Sequence, residues 1–322
     1  MTDPAATHGN STRRVGVEIE FAGLDIDAAA RAVVHALGGS VREDGDYRRV
    51  IEGTTLGRFV VKLDFELLQS MNARRRAGAE PGVFAELSEE LLAAAATPVV
   101  PVEVVSPPLA IARLGELDTL THALRAAGAT GTRGSLLYAF GLHLNPELER
   151  IDAPSVLAHL RAYLCLYGWL VERERVDWKR RLTPHINPFP KPYARLVLAA
   201  DYAPDLSALI DDYLRFNPQR NRSLDLLPLF SHVDPERVRR AVNDPRIKAR
   251  PTFHYRLPNC EIETPGWSVL PAWRGWLQVE ALAAERTRLA RVSAALLARL
   301  ADPMDFLAED WVLELARWVD LE

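Results

Sequence analysis

Five stretches of the chain carry acids, histidine or arginine at alternate positions, opposite an apolar set. They are Glu18 and Glu20 in Val-Gly-Val-Glu-Ile-Glu-Phe (15–21), Asp64 and Glu66 in 58–67, Glu103 in 99–105, His143 and Asn145 in 135–145, and Arg256 with Glu261 and Glu263 in 252–263. Carboxylates held on one rigid surface repel one another unless a cation sits between them. Hard oxygen ligands with one histidine suit Mg²⁺ or Mn²⁺ better than zinc. Arg256 would add what acids lack, a fixed bidentate donor to phosphate or carboxylate, or else pair with Glu261 or Glu263. Any one of these faces, taken alone, is more readily the solvated side of an antiparallel sheet. Their joint weight comes from residue type, because solvated strand faces usually mix Lys, Thr, Ser and Arg.

Period-two alternation makes 14–22, 58–67, 99–105, 135–145 and 252–263 strands, with Ser106-Pro107-Pro108 and Pro146 ending two of them. Helical spacing and cap residues predict helices over Ile26–Leu37, with Asp25 or Asp27 as N-cap and Gly38-Gly39 as stop, and over 84–96, 112–127, 154–178 and 205–216. One long helix is predicted over 271–301. Strands and helices in one chain make the class α+β, in one domain over 13–322 after a disordered tail at 1–12. A helical, proline-punctuated lobe occupies about 152–250.

A formal charge of -4 over 322 residues gives no global attraction to nucleic acid or anionic membrane, so a small charged ligand is the expected partner. Two distant cysteines, Cys165 and Cys260, exclude a disulfide framework and a Cys-x-x-Cys zinc site, and fit a reducing cytoplasm. No secretion signal or membrane span is expected, and oligomeric state is not legible. Phosphate-loop, nucleophile-elbow, dinucleotide-turn and His-Glu-x-x-His signatures are absent, so nucleotide binding would need a sheet and metal ions. Arg215, Arg220 and Arg222 cluster around Asn217-Pro218 and could hold a phosphate or form a solvated loop. Arg74–Arg76 reads as an exposed run or a lid, and His185 as a loop residue that could overhang the site.

The segments Val-Gly-Val-Glu-Ile-Glu-Phe (15–21), Val-Glu-Val-Val-Ser-Pro-Pro-Leu (102–109), Gly-Leu-His-Leu-Asn (141–145) and Tyr-Arg-Leu-Pro-Asn-Cys-Glu-Ile-Glu (255–263), in that order, resemble the amidoligase family. That family belongs to carboxylate-amine ligases related to glutamine synthetase and glutamate-cysteine ligase. The resemblance implies an antiparallel sheet of the glutamine synthetase and guanido kinase type, with helices on its outer face and ATP and Mg²⁺ (or Mn²⁺) over the acidic face. It makes Glu18, Glu20, Asp64, Glu103 and His143 the metal set and places Arg256 against phosphate or substrate. His143, Asn145, Lys62 and Arg222 are the expected cofactor contacts. Asp64 departs from the family pattern, being followed by Phe65 and Glu66 rather than closely by Ser.

The implied reaction phosphorylates a carboxylate with ATP and lets an amine displace the phosphate, Glu261 or Glu263 taking the amine proton. The substrates would be an amino acid, peptide or related metabolite. The same acids would equally serve a non-catalytic metal- or ligand-binding member, or a metal-dependent phosphotransferase or hydrolase.

Overall fold

The computed structural model describes residues 13–63, 101–133, 140–176, 186–301, 310–315 and 318–319. Asp64, Glu66, Arg74–Arg76, His185 and the helix expected at 84–96 lie outside the described residues. In chain order the elements are β1 (Arg14–Phe21), α1 (Ile26–Leu37), β2 (Ser40–Glu43), β3 (Arg48–Thr54), β4 (Gly57–Leu63), β5 (Val102–Val105) and β6 (Leu109–Ala110). After a 3₁₀ turn at Ile111–Glu116 come α2 (Leu117–Ala126), β7 (Leu142–Pro146), α3 (Ala153–Arg173), α4 (Lys191–Leu198) and α5 (Leu206–Phe216). The chain continues through β8 (Leu224–Asp225), α6 (Leu227–Val233), α7 (Pro235–Ala241), β9 (His254–Tyr255), α8 (Leu270–Ala284), α9 (Arg286–Ala301) and α10 (Asp310–Leu315).

Every strand pair is antiparallel, in the order β2-β3-β4-β5-β1-β7-β9-β8, with β6 continuing along the β5 edge of β1. The mixed α and β composition with a large antiparallel sheet matches the expected class. Val15, Val17, Ile19 and Phe21 of β1 leave one face and are buried. On that face α1 covers β2 to β5, and α2 packs on α1. Further along, Trp276 of α8 packs against Phe253 and Tyr255 with centroids 5.5 and 5.4 Å apart, and Tyr163 of α3 meets Tyr255 at 6.1 Å. Each such ring buries roughly 150–250 Å², about 4–6 kcal/mol of transfer free energy before ordering costs. Helices thus cover the apolar face.

Asp25 settles the N-cap of α1, accepting from the Ala28 amide at 2.6 Å. The hairpin β2–β3 was not legible. Ser40–Glu43 is exposed at every position, so it carries no apolar alternation to read. The single helix expected over 271–301 is broken at Glu285 (φ -95°, ψ 75°). As one rod it would run about 46 Å; the break turns Leu289 and Val292 of α9 into the core against α3 and α4. The lobe at 152–250 is not purely helical, since β8 returns to pair with β9 at the sheet edge. No helix among the described residues is long and apolar enough to cross a membrane.

The end of α3 is fixed tightly. Arg175 adopts the left-handed region (φ 46°), and Asn259 Nδ2 donates to the carbonyls of Glu174 (3.3 Å) and Arg175 (2.9 Å). A Cβ on Gly275 would sit 2.7 Å from Glu174 Oε1, so a side chain there would displace the Glu174 carboxylate. That oxygen is buried without a hydrogen-bond partner, and burial pushes the Glu174 carboxyl from 4.5 up to about 7, with Arg173 pulling the other way. Because the folded value is the higher one, the protonated form favours folding below the unfolded value, and this stability is lost as pH rises through about 7. Glu174→Gln should leave stability unchanged near pH 4 and raise it near pH 8 by up to about 3 kcal/mol. Urea unfolding at both pH values checks this, and equal gains at both would contradict it.

Candidate active site

The acidic face is organised by β1, the strand with both neighbours already in place at mid-sheet. Its register puts Glu20 opposite Glu103 on β5, and Glu18 opposite Val105 on one side and His143 of β7 on the other. Directly paired residues send their side chains to the same face, so these groups converge. Ser106 holds that frame where Pro107 and Pro108 cannot donate to a ladder. Its hydroxyl accepts from the Val17 amide at 2.9 Å and its own amide donates to Val17 O at 2.8 Å, after which β6 rejoins β1.

Glu18, Glu20 and Glu103 are 8%, 8% and 5% exposed, which excludes an ordinary solvated strand face. Glu18 Oε1 accepts from Asn145 Nδ2 (2.9 Å) and Arg250 Nη1 (3.0 Å), while Oε2 faces His143 Nδ1 at 3.4 Å. Burial opposes ionisation of Glu18, but Arg250, His254 and His143 outweigh it and hold the carboxyl well below the usual range. Glu20 Oε2 accepts from the Gly141 amide at 2.7 Å, and Oε1 lies 3.3 Å from His143 Nε2. His143 therefore stands between two carboxylates with a nitrogen toward each.

His254 of β9 completes the group. Its Nδ1 lies 2.7 Å from Asn145 Oδ1 and its ring meets that of His143 edge-on at 5.0 Å. Burial lowers the His254 pKa well below 6.5, with the charges of Arg250, His143 and Arg256 adding to it against Glu18. The neutral ring then donates Nδ1–H to Asn145 and keeps a lone pair on Nε2. Arg250 Nη2, 3.3 Å from the same Nδ1, is a close approach rather than a second hydrogen bond in that tautomer. Glu18, His143 and His254 each offer a ligand atom within 4.8 Å of the others. A histidine whose second nitrogen is held by a carbonyl is the usual support for a metal ligand, so the donor set fits a divalent ion.

A family described as "putative amidoligase enzyme" matches residues 11–278. The chain belongs to this amidoligase family. The matched span runs from β1 into α8 and so contains every residue of the site. No curated protein matches the sequence.

The remaining expected residues of this amidoligase-family chain fall in two groups. Lys62 of β4 reaches Glu103 Oε2 at 2.7 Å, and buried Arg256 leaves β9 two residues after His254, donating to Arg220 O at 2.9 Å. The others are engaged elsewhere. Arg222 donates to Asn217 Oδ1 (2.8 Å), Pro188 O (2.6 Å) and Phe216 O (3.4 Å), tying the lobe together. Glu263 accepts from the Gly131 amide and Glu261 pairs with Arg133, both at 2.9 Å. The strand expected over 252–263 is corrected accordingly. It pairs at Thr252, His254–Tyr255 and Asn259, and 261–263 forms a turn in which Thr264 N donates to Glu261 O, because Pro258 and Thr264-Pro265-Gly266 cannot sustain a ladder. His254 and Arg250 received no role from the sequence. The alternation of His254 with Arg256 was the available signal for the first, and a loop position hid the second.

Ser106→Ala should cost about 1–3 kcal/mol by leaving the buried Val17 amide without its acceptor. A lowered urea midpoint and faster amide exchange at Val17 would register the loss; wild-type stability would sink the assigned bracing role.

Proposed function

We propose that the protein is an ATP-dependent carboxylate-amine ligase, forming an amide through an acyl-phosphate intermediate on an amino acid, peptide or related metabolite. The observation that carries this reading is the buried convergence of Glu18, Glu20 and Glu103 with His143 and His254 on one face of the sheet, in a chain of the amidoligase family. An acid-faced antiparallel sheet backed by helices also accords with a glutamine synthetase-like catalytic fold. Two buried free cysteines accord with a cytoplasmic location.

Glu18, His143 and His254 would hold one divalent ion, their two imidazoles suiting Mn²⁺, and Glu20 with Glu103 would hold a second beside the nucleotide phosphates. Bound Mg²⁺ or Mn²⁺ would supply charge screening between the γ-phosphate and the substrate carboxylate. Lys62 and Arg256 carry fixed positive charge at the acid face and suit phosphate oxygens. Asn145 orients both Glu18 and His254 through its two side-chain atoms. His143, held between Glu18 and Glu20, keeps the two carboxylates at a fixed separation.

With ATP, Mg²⁺ and pools of carboxylates and amines, phosphate release should require both substrates and should vanish in Glu18→Gln. Release that needs no amine would point to a phosphotransferase or hydrolase instead. Independently of turnover, electron paramagnetic resonance of added Mn²⁺ should show a bound ion whose affinity falls at least about tenfold in His254→Ala. Unchanged Mn²⁺ binding in that variant would remove His254 from the metal set.

A further inference from the structure

Among the described residues, three buried polar atoms without a hydrogen-bond partner belong to one short reach of the sheet edge beside His254. They are Asp225 Oδ2, Arg250 Nε and Thr252 Oγ1. Native structures rarely leave such groups unsatisfied, so each of them calls for a partner. Asp225 is 1% exposed and stands directly opposite His254 in the β8–β9 ladder, so both side chains leave the same face. Its other oxygen, Oδ1, accepts from the Leu227 amide at 2.9 Å and lies 3.5 Å from Tyr213 OH, which fixes the carboxylate's orientation.

A buried carboxylate with one oxygen tied down and the other unpartnered calls for a donor that carries positive charge. We propose that Asp225 Oδ2 is the anchor that holds the amine substrate as its ammonium, beside the acid face. Arg250 Nε and Thr252 Oγ1 offer hydrogens to an acceptor on the same molecule, so an amine that bears a carboxylate or amide, such as an amino acid or peptide, fits better than a plain alkylamine. This rests on the ligase reading for the word substrate, but the binding claim stands on the unsatisfied groups alone. It also supplies an amine-facing acid where Glu261 and Glu263 are held by Arg133 and the Gly131 amide.

Asp225→Asn keeps an oxygen for the Leu227 amide, removes the charge and turns the unpartnered acceptor into an amide donor. Its apo melting temperature should equal or exceed the wild type's, whereas loss of a merely structural anion would lower it. In turnover, KM for the amine should rise at least about tenfold with KM for ATP unchanged. Separately, a mixture of the common amino acids should raise the wild-type melting temperature and fail to do so in Asp225→Asn; methylamine should do less than the mixture. If Asp225→Asn does not fold, Thr252→Val, of the same shape, should weaken the amino-acid response in the same direction. An unchanged amine KM or thermal response in a folded variant overturns the proposal, as does a wild type that shows neither response. A wild type that binds the mixture through Asp225 yet releases no phosphate keeps the anchor and fails the ligase reading.

Discussion

An ionised Glu18 buried at the middle of the sheet sets the terms for everything around it. Moving an uncompensated carboxylate out of water costs several kcal/mol even after relaxation, so the fold must bring positive and donor groups to it from separate parts of the chain. Asn145 and His143 come from β7, and Arg250 from the segment before β9. The register that places Gly16 opposite Asn145 and Glu18 opposite His143 is therefore not free to slip: one residue of shift would turn the acids into the packed face and Val17 and Ile19 out of it. Ser106 and the two prolines after it contribute to the same end, locking β1 on its other edge.

Compensation by Arg250 also explains why the lobe contributes to the acidic face. The lobe leaves the sheet after β7, packs its own aromatic cluster around Tyr193, Tyr213 and Phe230, and returns through β8 and β9 carrying Asp225, Arg250 and His254. The helical face is stabilised by nondirectional burial and tolerates rearrangement of apolar partners. The acidic face depends on named pairs at fixed distances and does not. One sheet thus separates a robust half from a demanding half, with β1 contributing a side chain to each at alternate positions.

What was legible in the chain follows from that division. Strands with one apolar and one polar face announce themselves, which is why β1, β4, β5 and β7 were readable from Val-Gly-Val-Glu-Ile-Glu-Phe and its companions. The hairpin β2–β3 was not, because Ser40–Glu43 buries nothing and so carries no pattern. Glu261 and Glu263 showed the right spacing, but Pro258 and the Thr264-Pro265-Gly266 turn outweigh two residues of alternation, and both acids are engaged outside the cluster. Arg250 and Asp225 were hidden for a different reason. Each acts through a long-range approach, to Glu18 and opposite His254, and a single position in a loop or a two-residue strand has no period to reveal it.

The division of labour within Glu18 bears on how an ion and an internal cation can share one carboxylate. Arg250 and Asn145 both donate to Oε1, whereas Oε2 is the oxygen turned toward His143. A divalent ion between Glu18, His143 and His254 would take Oε2 and leave the Oε1 contacts standing, so neither cation need displace the other. The two positive charges would still repel, and at separations of a few ångströms that repulsion is weakened only by the carboxylate between them. Arg250 sits on a loop rather than in the ladder, so it is the partner that can yield. Metal affinity would accordingly be coupled to the position of the 243–251 segment, which joins the sheet at Thr252, beside Asp225 and His254. Ion binding at Glu18 and order at the lobe's return to the sheet would then be two readings of one electrostatic balance.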